Sequence, residues 1–184
     1  EPDRDGYRNS NLGLNLDHDW AEGQSLGLHV MGSRGATHFD AGPGSDDVNR
    51  QRLSSTALES RNRLGADWRS LVRLARGADH IRTDGAFPGF VDTDQDQATW
   101  QNDVNALGGQ WAAGLDWRRE KVSSDTAYTV STRTFRAVFV GYTARFDAHL
   151  IEASARHDED SQFGGHGTGK LAYGYRFAPQ WRAS

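Results

Sequence analysis

Apolar and polar residues alternate along most of this chain. Leu12, Leu14 and Leu16 are interleaved with Asn11, Gly13, Asn15 and Asp17, and Leu26, Leu28 and Val30 with Gly27, His29 and Met31. Trp111, Ala113, Leu115 and Trp117 alternate with Ala112, Gly114, Asp116 and Arg118. The same rhythm runs through Ile151, Ala153 and Ala155, and again through Leu171, Tyr173, Tyr175 and Phe177. A period of two predicts strands with one apolar and one polar face. Two stretches depart from it. Leu64, Trp68, Leu71, Val72 and Ala75 fall at helical spacing, so 56–76 also reads as an Arg-rich amphipathic helix, which Gly65 would interrupt. Residues 135–146 are apolar on both parities, which predicts a strand covered on both sides or one with an interior cover.

The connections alternate in length. Short ones fall at 21–24, 65–67, 108–110, 147–148 and 178–180, and long polar ones at about 40–50, 84–96, 123–131 and 159–167. Trp20, Trp68, Trp111, Phe146, Phe177 and Trp181 sit beside the short turns. The predicted fold class is therefore all-β: an antiparallel up-and-down meander of nine strands and the beginning of a tenth, part of a transmembrane β-barrel. In such a barrel an aromatic girdle marks the interface, apolar residues face lipid and polar residues face the lumen. Backbone groups in lipid must all pair, which requires the sheet to close. A soluble antiparallel sandwich or barrel shares the period of two, and the girdle and loop asymmetry favour the membrane form. Barrels with even strand numbers are usual, and the chain opens at Glu1 without Met or an apolar leader. The expectation is that residues 1–184 are a middle piece of a barrel, with further strands elsewhere.

Composition narrows the function classes. Apolar residues make up 36% of the 184, and the longest apolar run, Ala137–Val140, is far short of the ~20 residues of a membrane helix. The net charge of −4 argues against a nucleic-acid binder, although 19 of the 21 basic residues are arginine. Arg69, Arg73, Arg118, Arg156 and Arg176 fall on the polar parity with Asp103, Asp116 and Glu152, as charges facing a lumen would. The absence of cysteine excludes disulfides and Cys-ligated metals.

Three polar clusters lie at the long-loop end: residues 1–6, 40–47 and 157–164. Asp-rich loops supply the oxygen ligands calcium needs, and Asp and Gly are equally the residues of solvated turns. His157 beside Asp158, with His166 nearby, and Asp79 beside His80 are the obvious pairs with hydrolytic potential. Neighbours on a strand point to opposite faces, so Asp158 is poorly placed to orient His157. Neither a nucleophile elbow nor a His-Glu-x-x-His motif occurs, and an enzyme is not expected.

The segment 157–168, from His157-Asp158-Glu159-Asp160 through Phe163-Gly164-Gly165-His166, closely resembles a stretch of the outer-membrane vitamin B12 receptors, members of the TonB-dependent transporter family. Leu171–Phe177, Ala113–Trp117, Gln101–Val104, Asp3–Tyr7 and Thr37–Ala41 extend the resemblance in the same order. It implies a large barrel filled by an N-terminal plug, with this chain supplying barrel strands and neither the plug nor the segment that contacts TonB. It also implies capture of cobalamin outside a Gram-negative cell and TonB-energised import through the outer membrane, surrounded by lipid. Calcium orders the substrate loops in these receptors, and the matching positions are Asp3, Asp5 and Asp40, with Asp46 or Asp47 closing the site and Glu1 at a polar-ligand position. Phe39 replaces the family's tyrosine, and the second loop is shorter. A substrate-contacting threonine of the third loop corresponds to Thr93. A receptor for a siderophore or haem and a small autonomous outer-membrane barrel are the alternatives.

Overall fold

The computed structural model describes residues 5–178 and 181–183. Ten strands follow one another: β1 (Tyr7–Ala21), β2 (Gln24–Phe39), β3 (Asp47–Gly65), β4 (Trp68–Asp84), β5 (Gly89–Ala106), β6 (Gly109–Ser124), β7 (Thr132–Phe146), β8 (His149–Asp160), β9 (Gly164–Ala178) and β10 (Trp181–Ala183). They form one sheet in chain order, every neighbour antiparallel. This is the predicted meander, including the tenth strand.

The helical reading of 56–76 is not realised. Leu64, Trp68 and Val72 share one face of the β3–β4 hairpin and Leu71 and Ala75 the other, so their helical spacing is a coincidence of two strands joined by a short turn. The long loops are also shorter than the sequence predicts. They occupy residues 40–46, 85–88, 125–131 and 161–163, because the polar residues on either side continue the ladder. Polarity marks strand ends only where strands leave the membrane with the turn, and here they extend beyond it.

Register sorts the side chains onto two faces. Leu14 faces Val30, which pairs with Thr56 and through it with Arg76 on β4, and this parity carries Leu12, Leu16, Leu26, Leu58, Val72, Leu74, Leu115, Val138 and Leu171. These residues are exposed, Leu12 by 74% and Leu171 by 80%, as a lipid-facing surface requires. The other parity carries Asn9, Asn11, Asn15 and Asp17 on β1 and continues into the charged residues of β3–β9, so it is the inner face. On β6 the outer apolar run from Trp111 to Trp117 covers six residue steps, about 20 Å along the strand at ~3.4 Å per residue.

Aromatics cluster at the short-turn edge of the outer face. Trp111 stacks on Tyr142 at 4.6 Å between ring centroids, and His149 on Tyr175 at 5.0 Å. Polar groups in the outer band are satisfied locally. The Trp68 indole donates to Asn102 Oδ1 at 2.9 Å, and the Trp100 indole to Ser70 Oγ at 3.0 Å. Indoles serve this edge because their bodies suit hydrocarbon and their N–H needs one acceptor. The turn between β5 and β6 has Leu107 and Gly108 both at positive φ, 54° and 74°, the pattern of a tight hairpin whose twist matches its strands. A Cβ on Gly108 would also stand 2.7 Å from the Phe146 ring.

Candidate functional site

The inner face is densely charged at its loop end, and strand register assembles the charges. Asp116, Arg118 and Glu120 are successive inner positions of β6 and lie opposite Ala137, Phe135 and Arg133 of β7; Phe139 of β7 lies opposite Arg156 of β8. Arg156 therefore reaches over small Ala137 to two carboxylates. It donates from Nη1 to Asp116 Oδ2 and from Nε to Asp158 Oδ1, each at 2.9 Å. Thr99 donates to the other Asp116 oxygen at 3.0 Å. One step toward the loops, Glu120 accepts from Arg133 at 2.7 Å and pairs with Arg118 at 3.0 Å. Both guanidiniums lie against the Phe135 ring, 4.2 Å and 4.5 Å from its centroid. The interior cover expected for residues 135–146 is thus a layer of arginines on Phe135 and Phe139, held there by cation–π attraction and by fixed carboxylates.

This network floors a recess of about 590 Å³ lined by Arg118, Phe135, Arg156, Asp158, Phe163 and His166 among others. It offers planar cations, carboxylates and aromatic faces, the equipment for holding a large polar organic ligand. His157 lies on the outer parity while Asp158 faces inward onto Arg156, as strand geometry predicts. His80 bonds Asp92 at 2.9 Å on the outer face, away from the recess.

Of the six positions that the resemblance implies for calcium, four lie among the described residues. Glu1 and Asp3 lie outside the described residues. Asp5 is exposed just ahead of β1, and Asp40 begins the loop after β2. Asp46 Oδ1 is 3.2 Å from His38 Nδ1. Asp47 is 1% exposed and works as a bracket between loops, accepting the Ala41 amide at 3.2 Å and the Ala86 amide at 2.5 Å. The Ser45 hydroxyl is the largest influence and, with the Ala86 and Ala41 amides, holds its carboxyl below the ordinary value of 3.8; burial, second in size, opposes them. Asp47 lies at the loop end of β3, above the apolar band. Gly85 completes the bracket: at φ 137° it leaves room where a Cβ would collide with the Asp47 carboxylate. Among the described residues no group of three or more His, Asp or Glu side chains stands together as a metal site.

Thr93 also needs relocation. It lies within β5, not in a loop, on the inner face between Asp79 of β4 and Val122 of β6. Asp92 and Asp94, on either side of it, lie on the outer parity. The Phe135–Arg118–Arg133–Glu120 cluster was not singled out from the sequence. The parity of Arg118 and Glu120 on one strand is visible there, but their meeting with Arg133 depends on the β6–β7 register.

Known proteins resemble the chain in sequence and in fold. No family model matches it. Over 187 aligned residues it is 26% identical to the vitamin B12 transporter BtuB of Vibrio cholerae, covering 97% of this chain and 30% of that protein. The chain thus spans about three tenths of the length of the curated relatives it matches. Among solved structures, a mutant ferric enterobactin receptor PfeA of Pseudomonas aeruginosa superposes with a TM-score of 0.80 at 13% identity, over 96% of this chain and 32% of that one. The siderophore receptor PirA of the same organism gives a TM-score of 0.78 at 16% identity, over 94% and 31%. The ferric yersiniabactin uptake receptor FyuA of Yersinia pestis gives 0.67 at 17% identity, over 96% and 36%. At these identities the structural likenesses carry the fold, which in each case is one stretch of a much longer chain.

Proposed function

We propose that the chain is a strand segment of a TonB-dependent receptor barrel of the outer membrane, and that the receptor it belongs to imports cobalamin. The observation that carries this reading is the sequence similarity to a vitamin B12 transporter, which runs through 97% of the chain. The solved receptors resemble it in fold at lower identity.

In this reading the loop ends of the strands face outward from the cell and capture the ligand. The inner recess receives one flank of it, with Phe135 and Phe163 offering ring faces and Arg118 and His166 offering donors to peripheral polar groups. The Arg156–Asp116–Asp158 arrangement keeps the recess in one shape, because each carboxylate is already committed. Import breaks no bond in the ligand. Energy enters through TonB, which acts on a plug that fills the barrel.

Equilibrium binding of cyanocobalamin to the full-length receptor in detergent tests this, together with uptake in cells with and without TonB. The expected result is saturable cobalamin binding and uptake that disappears without TonB. Absence of cobalamin binding, with saturable binding of a ferric siderophore by the same preparation, overturns the assignment of cargo and leaves the receptor fold in place.

A further inference from the structure

Three inner residues share one ladder row at the loop end: Arg118 of β6, Phe135 of β7 and Asp160 of β8. All three line the recess of about 590 Å³. Arg118 and Asp160 are two strand spacings apart, roughly 10 Å, with the ring between them. Arg118 follows directly on Trp117, where the outer apolar run of β6 ends, so the row stands beyond the membrane band, at the mouth of the barrel.

The hydrogen bonds of the recess leave these two ends open. Arg156 gives Nη1 to Asp116 and Nε to Asp158, and Arg133 gives Nε and Nη2 to one oxygen of Glu120. Arg118 makes no hydrogen bond among the described residues. Its Nε stands 3.0 Å from the other Glu120 oxygen, out of line for one, and its side chain is 39% exposed. Stacking on Phe135 holds the guanidinium in place and leaves its terminal Nη groups without an acceptor. Asp160 accepts the Gln162 and Phe163 amides through Oδ1, at 2.8 Å and 3.4 Å, and its Oδ2 accepts nothing among the described residues.

Charge divides the recess in the same way. Arg118 and Arg133 against Glu120 leave a single positive charge on the β6–β7 side. Asp116, Asp158 and Asp160 outnumber Arg156, which leaves the rest of the recess negative. This selects a ligand with one anionic group and with hydrogen-bond donors nearby. A guanidinium fork matches phosphate oxygens, and a carboxylate oxygen accepts from a primary amide. A cargo with several anionic groups brings the others against Asp158 and Asp160. Cobalamin carries one phosphodiester, in its nucleotide loop, and amide side chains around the corrin ring.

We propose that Arg118 binds the phosphodiester of cobalamin while Asp160 accepts from a corrin amide, so that Arg118 sets a preference for corrinoids that carry phosphate. This rests on the cobalamin reading given above.

Equilibrium binding of three corrinoids to the full-length receptor in detergent tests it: cyanocobalamin, cobinamide phosphate, and cobinamide, which keeps the ring and its amides and lacks phosphate. The unaltered receptor is expected to bind the two phosphate-bearing compounds about tenfold more tightly than cobinamide, a difference that one charge-assisted contact supplies. Arg118→Gln is expected to remove that difference and to bind cobinamide as the unaltered receptor does, which also reports that the variant is folded. Arg118→Lys keeps the charge and is expected to retain part of the preference. Arg119→Gln, on the outer parity of β6, is expected to retain all of it. Equal affinity of the unaltered receptor for all three compounds overturns the proposal without reference to any variant. So does an unchanged preference in Arg118→Gln, or an equal loss for all three, which would make Arg118 a packing residue. If the unaltered receptor binds none of the three, the cargo assignment falls and this proposal with it, a result distinct from binding without preference.

Discussion

Arg156 on the inner face and Arg52 on the outer face are the same side chain in the same sheet. Arg156 reaches two carboxylates and the Phe139 ring, whereas Arg52 lies between Arg34 and His80. Arg118, Arg133 and Arg156 on the inner face are parts of the fold, since each holds a carboxylate and lies against a ring. The outer cluster sets Arg34 against Arg52 and Arg50 against Arg82, and Asp84 and Asp92 answer only the second of these pairs. Arginine content therefore does not report a single property of this protein; the face and the company of each arginine decide what it does.

The largest expected effect tests the faces themselves. Leu14→Arg places a charge in the lipid-facing band and is expected to lower folding stability in bilayers by about 2–4 kcal/mol, while Asn15→Arg, one residue on and facing inward, costs little. Denaturant titration of the full-length receptor in vesicles measures both, and equal losses would erase the distinction between faces.

The next effect separates the two arginines. Arg156→Met leaves Asp116 and Asp158 without their shared cation and is expected to cost about 1–2 kcal/mol, a figure reduced for partial exposure to solvent. Arg52→Met removes a repulsive neighbour of Arg34 and is expected to change stability by under about 0.5 kcal/mol in detergent. The same titration in detergent compares them; a larger loss from Arg52 would mean that it has a partner within the protein.

Asp47 gives a pH-dependent contrast. Its folded carboxyl sits below 3.8, so its bracket on the loops is fully present above that value and is lost as pH falls through the lower folded value. Proteolytic nicking of residues 40–46 and 85–88 by an acid-active protease is expected to rise steeply over that acidic range in the unaltered receptor. Asp47→Asn is expected to show raised nicking at every pH, with no such step. Phe135→Leu, which removes the ring beneath Arg118 and Arg133, is expected to cost about 0.5–1 kcal/mol in the same denaturant titration.

Much of this architecture was legible in the sequence because β-barrel strands repeat one rule. Leu12, Leu14 and Leu16 announce their face without help from any partner strand, and Trp20, Trp68 and Trp111 mark the short-turn edge. What was not legible depends on contact between strands. The loops around 84–96 read as long because Asp92, Asp94 and Asp96 are polar, yet these residues stand on the outer face of an extended strand. Asp47 reads as a solvated turn residue or a metal ligand, and its burial follows from the approach of a loop nearly 40 residues away. The opposition of Arg34 and Arg52 is likewise a fact of register.

The most direct test of the account is an accessibility scan by spin labelling along β1 and β6 of the full-length receptor in bilayers, with single cysteines at successive positions of 11–16 and 111–117. Within this chain the background is free of cysteine. The account predicts strict alternation: labels at 12, 14, 16, 111, 113, 115 and 117 relax with oxygen dissolved in lipid, and labels between them with a water-soluble nickel complex. Uniform access to the nickel complex at both parities would contradict it, because the sheet would then have no face in the membrane.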